Sequence, residues 1–131
     1  MNNKEIADLY RTRYHSWKKE SLENSGFFVI FNGFADNKDE NQQAILQKIT
    51  GGALKLYIFL GIKSKNYTGE SFYSIKSLAK YFGKSERTIN NWFRELESLN
   101  LIYKIQLQFN EVSHTFLQIY ETNERNNKKN K

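Results

Sequence analysis

Arg87, Asn90, Asn91 and Arg94 fall within one short stretch of the chain. An arginine guanidinium can donate two parallel hydrogen bonds to guanine O6 and N7, and an asparagine carboxamide can pair in the same bidentate way with adenine N6 and N7. On a helix with Arg87 placed at 0°, Asn91 and Arg94 lie within about 40° of it and Asn90 about 60° to one side. Ser98 falls on the same face. A helix with this face suits reading base edges in a major groove. Ser85 and Thr88 precede or begin that helix, where hydroxyls and backbone N–H groups suit phosphate. Lys76, Lys80, Lys84 and Lys104 are further candidates for the phosphate backbone.

Other chemistries have little material. The chain has no cysteine and only two histidines, His15 and His114, so thiolate metal sites, disulfides and His-based triads are poorly supplied. Asp36, Asp39 and Glu40 lack the spacing of a calcium loop and read as a solvated acidic segment. Gly83-Lys84-Ser85 imitates the end of a phosphate-binding loop, but Leu78 stands where the upstream glycine would be needed. We therefore expect no catalytic residue, no metal, no cofactor and no enzymatic activity.

The elements that must position the basic face are legible around it. Ser74 is placed to cap a helix through Ile75, Leu78, Ala79 and Phe82, and Gly83 supplies a left-handed exit. Ser85 caps the next helix, whose apolar residues Ile89, Trp92, Phe93, Leu96 and Leu99 lie at about 120–240° from Arg87, opposite the polar face. Asn100 ends it. Ile105, Leu107 and Phe109 then alternate with polar residues, and Phe116 to Tyr120 makes a second apolar strand beyond a turn near Asn110-Glu111, so a β-hairpin is expected.

Upstream, Thr50 precedes Ala53, Leu56, Tyr57 and Leu60, whose spacing predicts a buried helix over about 51–63 despite Gly51 and Gly52. Ala44 to Ile49 reads as one or two helical turns. Asn66 to Ser71 reads as a loop and Phe72-Tyr73 as a very short strand. The aromatic and β-branched run Phe27 to Phe31 predicts another strand, followed by a polar loop. At the N-terminus, Asn2 and Glu5 have capping-box spacing, and Ile6, Leu9, Tyr10, Tyr14 and Trp17 form one stripe of an amphipathic helix running to about Leu22. Residues 121–131 lack apolar side chains and read as a disordered basic tail.

With 131 residues, 39% apolar and 26% charged, the chain has material for one core and is unlike a disordered, collagen-like or coiled-coil sequence. The net charge is +6, and residues 51–102 alone carry eight basic against four acidic side chains. That excess suits a polyanionic partner. No apolar run is long enough to span a bilayer and the N-terminus does not resemble a signal peptide, so we expect a soluble cytoplasmic protein with no membrane partner.

Two helices joined by a Gly-Lys-Ser turn and followed by a hairpin follow the element order of a winged helix-turn-helix. The residues resemble that superfamily too. Ser74-Ile75-Lys76-Ser77-Leu78-Ala79-Lys80-Tyr81-Phe82-Gly83-Lys84-Ser85-Glu86-Arg87-Thr88-Ile89 is similar to its first helix, turn and Ser-x-x-Thr start of the recognition helix. Phe93-Arg94-Glu95-Leu96-Glu97-Ser98-Leu99-Asn100-Leu101-Ile102 is similar to the exit into the wing. The pattern departs at Asn100, where glycine is usual, and at the hairpin tip, which lacks the usual Arg/Lys/Gly cluster. Within the superfamily the layout resembles the N-terminal DNA-binding domains of replication initiators from Gram-positive plasmids, which place an aromatic strand and a Leu/Tyr-rich helix upstream.

The expectation is an α+β winged helix-turn-helix with an extra N-terminal helix and a short strand. It comprises a 1–26 helix, a 27–120 winged domain and the 121–131 tail. The resemblance implies sequence-specific binding of double-stranded DNA, by a small transcriptional regulator or by a replication or conjugation accessory protein of a mobile element. The unmatched aromatic stripe of the first helix predicts a homodimer.

Overall fold

The computed structural model describes residues 1–37, 41–65, 67–106, 112–118 and 120. In chain order its elements are α1 (Asn3–Asn24), a 3-10 turn (Asn32–Phe34), α2 (Ile45–Lys48), α3 (Gly51–Lys63), β1 (Glu70–Ser71), α4 (Ile75–Phe82), α5 (Glu86–Ser98), β2 (Ile102–Ile105) and β3 (His114–Leu117). The strands form one antiparallel sheet in the order β1-β3-β2. Tyr103 lies opposite Phe116 and Lys104 opposite Thr115, while Ser71 flanks Thr115 from the other side. This is the expected α+β winged helix-turn-helix with a helix added in front.

Local chemistry accounts for most boundaries. Asn2 Oδ1 accepts the Glu5 N–H at 2.9 Å and opens α1. The Gln47 side chain accepts the Ala44 N–H at the start of α2. Ser74 and Ser85 accept from the N–H groups of Ser77 and Thr88, satisfying one free donor at the head of α4 and of α5. Gly83 ends α4 at φ 65°, and Asn100 takes a left-handed φ of 59° after α5. Asparagine tolerates that region because its short amide can bond locally.

The core is built where α3, α4, α5 and β2 meet. Leu56, Tyr57, Leu60, Leu78, Ile89, Phe93, Leu96, Leu101 and Ile102 are buried there. Close approach of α3 to α5 depends on Gly52: a Cβ at that position would stand 2.3 Å from the Trp92 indole. Glu95 reaches across from α5 and accepts from both the N–H and the hydroxyl of Thr50, at 2.6 and 2.9 Å. Its carboxylate thereby sits at the N-terminus of α3, where the helix dipole favours negative charge.

Three expectations need correction. Phe27–Phe31 is not a strand. The edge of β3 it could have joined is occupied by β1, and the segment instead folds over α3, with the Phe28 ring in the notch left by Gly61. The Phe31 N–H donates to the Tyr120 hydroxyl at 2.8 Å, and Phe34 stacks on Tyr57 with ring centroids 5.5 Å apart. The short strand expected at Phe72-Tyr73 lies two residues earlier, at Glu70–Ser71, within the expected loop. β3 likewise begins at His114, before Phe116, and ends at Leu117. The hairpin turn near Asn110-Glu111, Leu107, Phe109, Asp39, Glu40 and the 121–131 tail lie outside the described residues.

Candidate nucleic-acid interface

The outward face of α5 is fixed by its inward one. Ile89, Phe93 and Leu96 are buried, and Trp92 packs edge-on against Phe82 with centroids 5.5 Å apart. Trp92 and Phe93 are therefore packing residues and are not open for stacking on bases. With that face anchored, Arg87, Asn91, Arg94 and Ser98 are all exposed, and Asn90 is half-buried at the side. Arg94 Nη1 donates to Asn91 Oδ1 at 3.4 Å, which draws the guanidinium alongside the carboxamide. The structure thus gathers Arg87, Asn91 and Arg94 on one polar surface.

Around this surface, Lys76 and Lys80 are exposed on α4, one turn apart, and Lys84 is exposed in the turn between the helices. Ser85 and Thr88 stand at the start of α5, as expected. The Ser85 hydroxyl accepts from the Thr88 N–H, and the two hydroxyls bond each other at 3.0 Å. Their main work is to cap α5, which leaves limited capacity for a phosphate. Glu86, in the first turn of α5, also sets a negative charge where an anion would approach.

Lys104 is not brought to this surface. It is half-buried, with Nζ 4.3 Å from the centre of the Phe93 ring, a cation–π contact that ties β2 to α5. Burial lowers its pKa below the ordinary lysine value, and Glu97 acts in the opposite direction. The strand runs in the opposite phase to the expected one: Lys104 shares a face with buried Ile102, two residues earlier, and Ile105 is exposed.

The site residue that sequence reasoning missed is Glu95. It lies beside Arg94 on α5, and its carboxylate joins α5 to the start of α3 through Thr50, helping to hold the helix that carries the basic face. No spacing rule links positions 50 and 95. At the wing, His114 is paired with Glu70 and lies between Phe72 and Phe116, which engages it within the sheet. Among the described residues no group of His, Cys, Asp and Glu could hold a metal ion, and no helix is long and apolar enough to cross a membrane.

A capped helix, a glycine turn, a second capped helix with a polar outward face and a three-stranded sheet behind it define a winged helix-turn-helix. Residues 47–102 match the family model described as a helix-turn-helix domain, a span running from α2 through α5 to the first residue of β2. The match supports the helix-turn-helix DNA-binding superfamily, whose second helix enters the major groove. No curated protein and no solved structure matches the chain.

Proposed function

We propose that the protein binds specific double-stranded DNA by inserting α5 into the major groove, has no catalytic activity, and acts in the cytoplasm as a small transcriptional regulator. The observation that carries this reading is the exposed Arg87, Asn91 and Arg94 surface of α5, with Arg94 bonded to Asn91. Arginine and asparagine are the side chains whose geometry matches guanine and adenine edges. Lys76, Lys80 and Lys84 supply phosphate contacts on the neighbouring helix and turn. Two copies would set two α5 helices on half-sites about one helical turn apart, favouring a near-palindromic site.

A second reading, an origin-binding accessory protein of a plasmid or other mobile element, is favoured by the aromatic segment upstream of the helix-turn-helix. The resemblance to plasmid initiators implies an aromatic strand and a Leu/Tyr-rich helix upstream; here the aromatic segment, though not a strand, packs Phe28 on Gly61 of the Leu/Tyr-rich α3. Footprinting across the protein's own locus tests both. A protected site overlapping a promoter supports the regulator, and protection of iterated repeats supports the origin reading. Absence of protection at low salt refutes DNA binding.

A further inference from the structure

Among the described residues, α1 leaves its apolar stripe largely uncovered. Tyr10, Tyr14 and Trp17 are 61, 58 and 63% exposed, Ile6 and Leu9 are exposed beside them, and no residue of the helix is buried. Among the described residues, its side-chain hydrogen bonds and ring contacts stay within the helix and its cap. The helix leaves the rest of the chain through Ser25 and Gly26, the latter at φ 76° with open space around it.

A second uncovered apolar face lies on α3. Ala53, Leu56, Tyr57 and Leu60 point into the core; Ile58 and Ile62 are exposed on the far side and continue a ridge that begins at Leu54, which itself packs against the edge of the core. Two shallow grooves, of about 470 and 360 Å³, flank that ridge and meet at Ile58. Ile30, Phe31 and Leu46 contribute to one and Tyr81 to the other. Charge differs across the ridge: Lys55 and Lys63 line one groove, and Asp36 lines the other.

We propose that two copies associate by exchange, with α1 of each lying on the Leu54–Ile58–Ile62 ridge of the other. The inference rests on the dimeric reading above and gives that dimer its contact surface. On α1, Ile6, Tyr10 and Tyr14 form one row at four-residue spacing and Leu9, Arg13 and Trp17 form the next. The groove between the rows accepts a ridge that is itself spaced by four. The tyrosines and the tryptophan then enter the two grooves beside it.

Charge fixes the direction. The stripe of α1 is edged by Glu5 and Glu23 on one side and by Lys18 and Arg11 on the other, Arg11 being paired with Asp8, while Glu20 and Arg13 lie within the stripe on the acidic side. With the two helices running the same way, the acidic edge meets Lys55 and Lys63 while the basic edge meets Asp36. Reversing α1 would oppose like charges. Within one chain both faces stay uncovered, with Tyr10, Tyr14 and Trp17 of α1 and Ile58 and Ile62 of α3 all exposed, so the stripe that completes each ridge is assigned to the other copy. Covering both faces in both copies would bury on the order of 1,500 Å² in total, within the range of stable interfaces.

The test is sedimentation equilibrium of the full chain and its variants. Wild type runs as a dimer, and Ile58→Glu and Trp17→Glu each raise the dimer Kd by about tenfold or more, as loss of a central apolar anchor does. Both residues are exposed in the single chain, so at protein concentrations below the dimer Kd, where association adds no stability, circular dichroism melting of each variant should match wild type. An equimolar mixture of the two variants recovers a heterodimer, because one α1 and one ridge remain intact. Lys55→Glu weakens the dimer and adding Glu20→Lys restores it. A monomeric wild type, or a dimer that survives Ile58→Glu, overturns the proposal. Anisotropy on a half-site duplex is read in parallel: variants that lose the dimer but keep half-site binding leave the DNA reading intact, and an intact dimer that binds no duplex refutes that reading alone.

Discussion

Replacing Gly52 with alanine should destabilise the protein, although alanine is the better helix former. In a helix interior the exchange favours folding by up to about 1 kcal/mol, and by less in the first turn, where Gly52 lies. Against this, the added Cβ would stand 2.3 Å from Trp92 Cε2 and Nε1 and 2.6 Å from Cζ2, well inside contact distance. The indole cannot swing away freely, because its other side meets Phe82. Overpacking of this kind costs about 1–3 kcal/mol, so the net loss should be about 1–2 kcal/mol. Urea unfolding followed by far-UV circular dichroism measures it. In a Trp92→Leu background the obstruction is gone and Gly52→Ala should become neutral or slightly stabilising, giving a coupling of about 1.5–2.5 kcal/mol. If Gly52→Ala stabilises the protein in both backgrounds, the α3–α5 crossing described above is wrong.

Glu95→Ala removes the acceptor of two Thr50 hydrogen bonds. Since these are partly solvent-screened, the expected loss is about 1–2 kcal/mol in urea unfolding. Glu95→Gln should recover part of it, whereas no loss in Glu95→Ala would show that the contact carries no stability. Asn100→Gly should leave stability unchanged or raise it, and Asn100→Ala should cost about 1–2 kcal/mol because alanine pays the left-handed penalty without a local hydrogen bond; thermal unfolding of the pair decides it. In anisotropy titrations over a salt series, Lys84→Ala should reduce the slope of log K against log salt by about 0.9 per lost phosphate contact. Lys104→Met should leave that slope unchanged, because its ammonium is held over Phe93; a lowered slope would return Lys104 to the DNA surface.

The helix-turn-helix was readable because its signals are local. Ser74, Gly83 and Ser85 fix helix ends through bonds to residues three or four positions away, and the apolar periodicity of α5 determines its outward face. Asn100 was readable for the same reason. What escaped involves pairs distant in sequence. Phe27–Phe31 has strand composition, but composition does not reveal that a two-residue strand already fills the sheet edge or that Gly61 leaves a notch for Phe28. The helical reading of 51–63 held despite two glycines, and the reason, Trp92 crossing at Gly52, lies forty residues downstream. At the candidate site, Arg87, Asn91 and Arg94 followed from helical spacing. Lys104 turns inward because buried Ile102 sets the phase of β2, whereas a phase set from Ile105 points it outward; the Ser85–Thr88 hydroxyl bond depends on side-chain geometry that spacing leaves open.

The central claim, that the outward face of α5 reads base edges in duplex DNA, is tested most directly by selecting bound sequences from a random duplex pool with wild type, Arg87→Ala and Arg94→Ala. The account predicts a defined consensus for wild type. Each arginine variant should lose preference at a different guanine and bind the wild-type site about 1–3 kcal/mol more weakly. No enrichment with wild type, or an unchanged consensus with both variants, would contradict it.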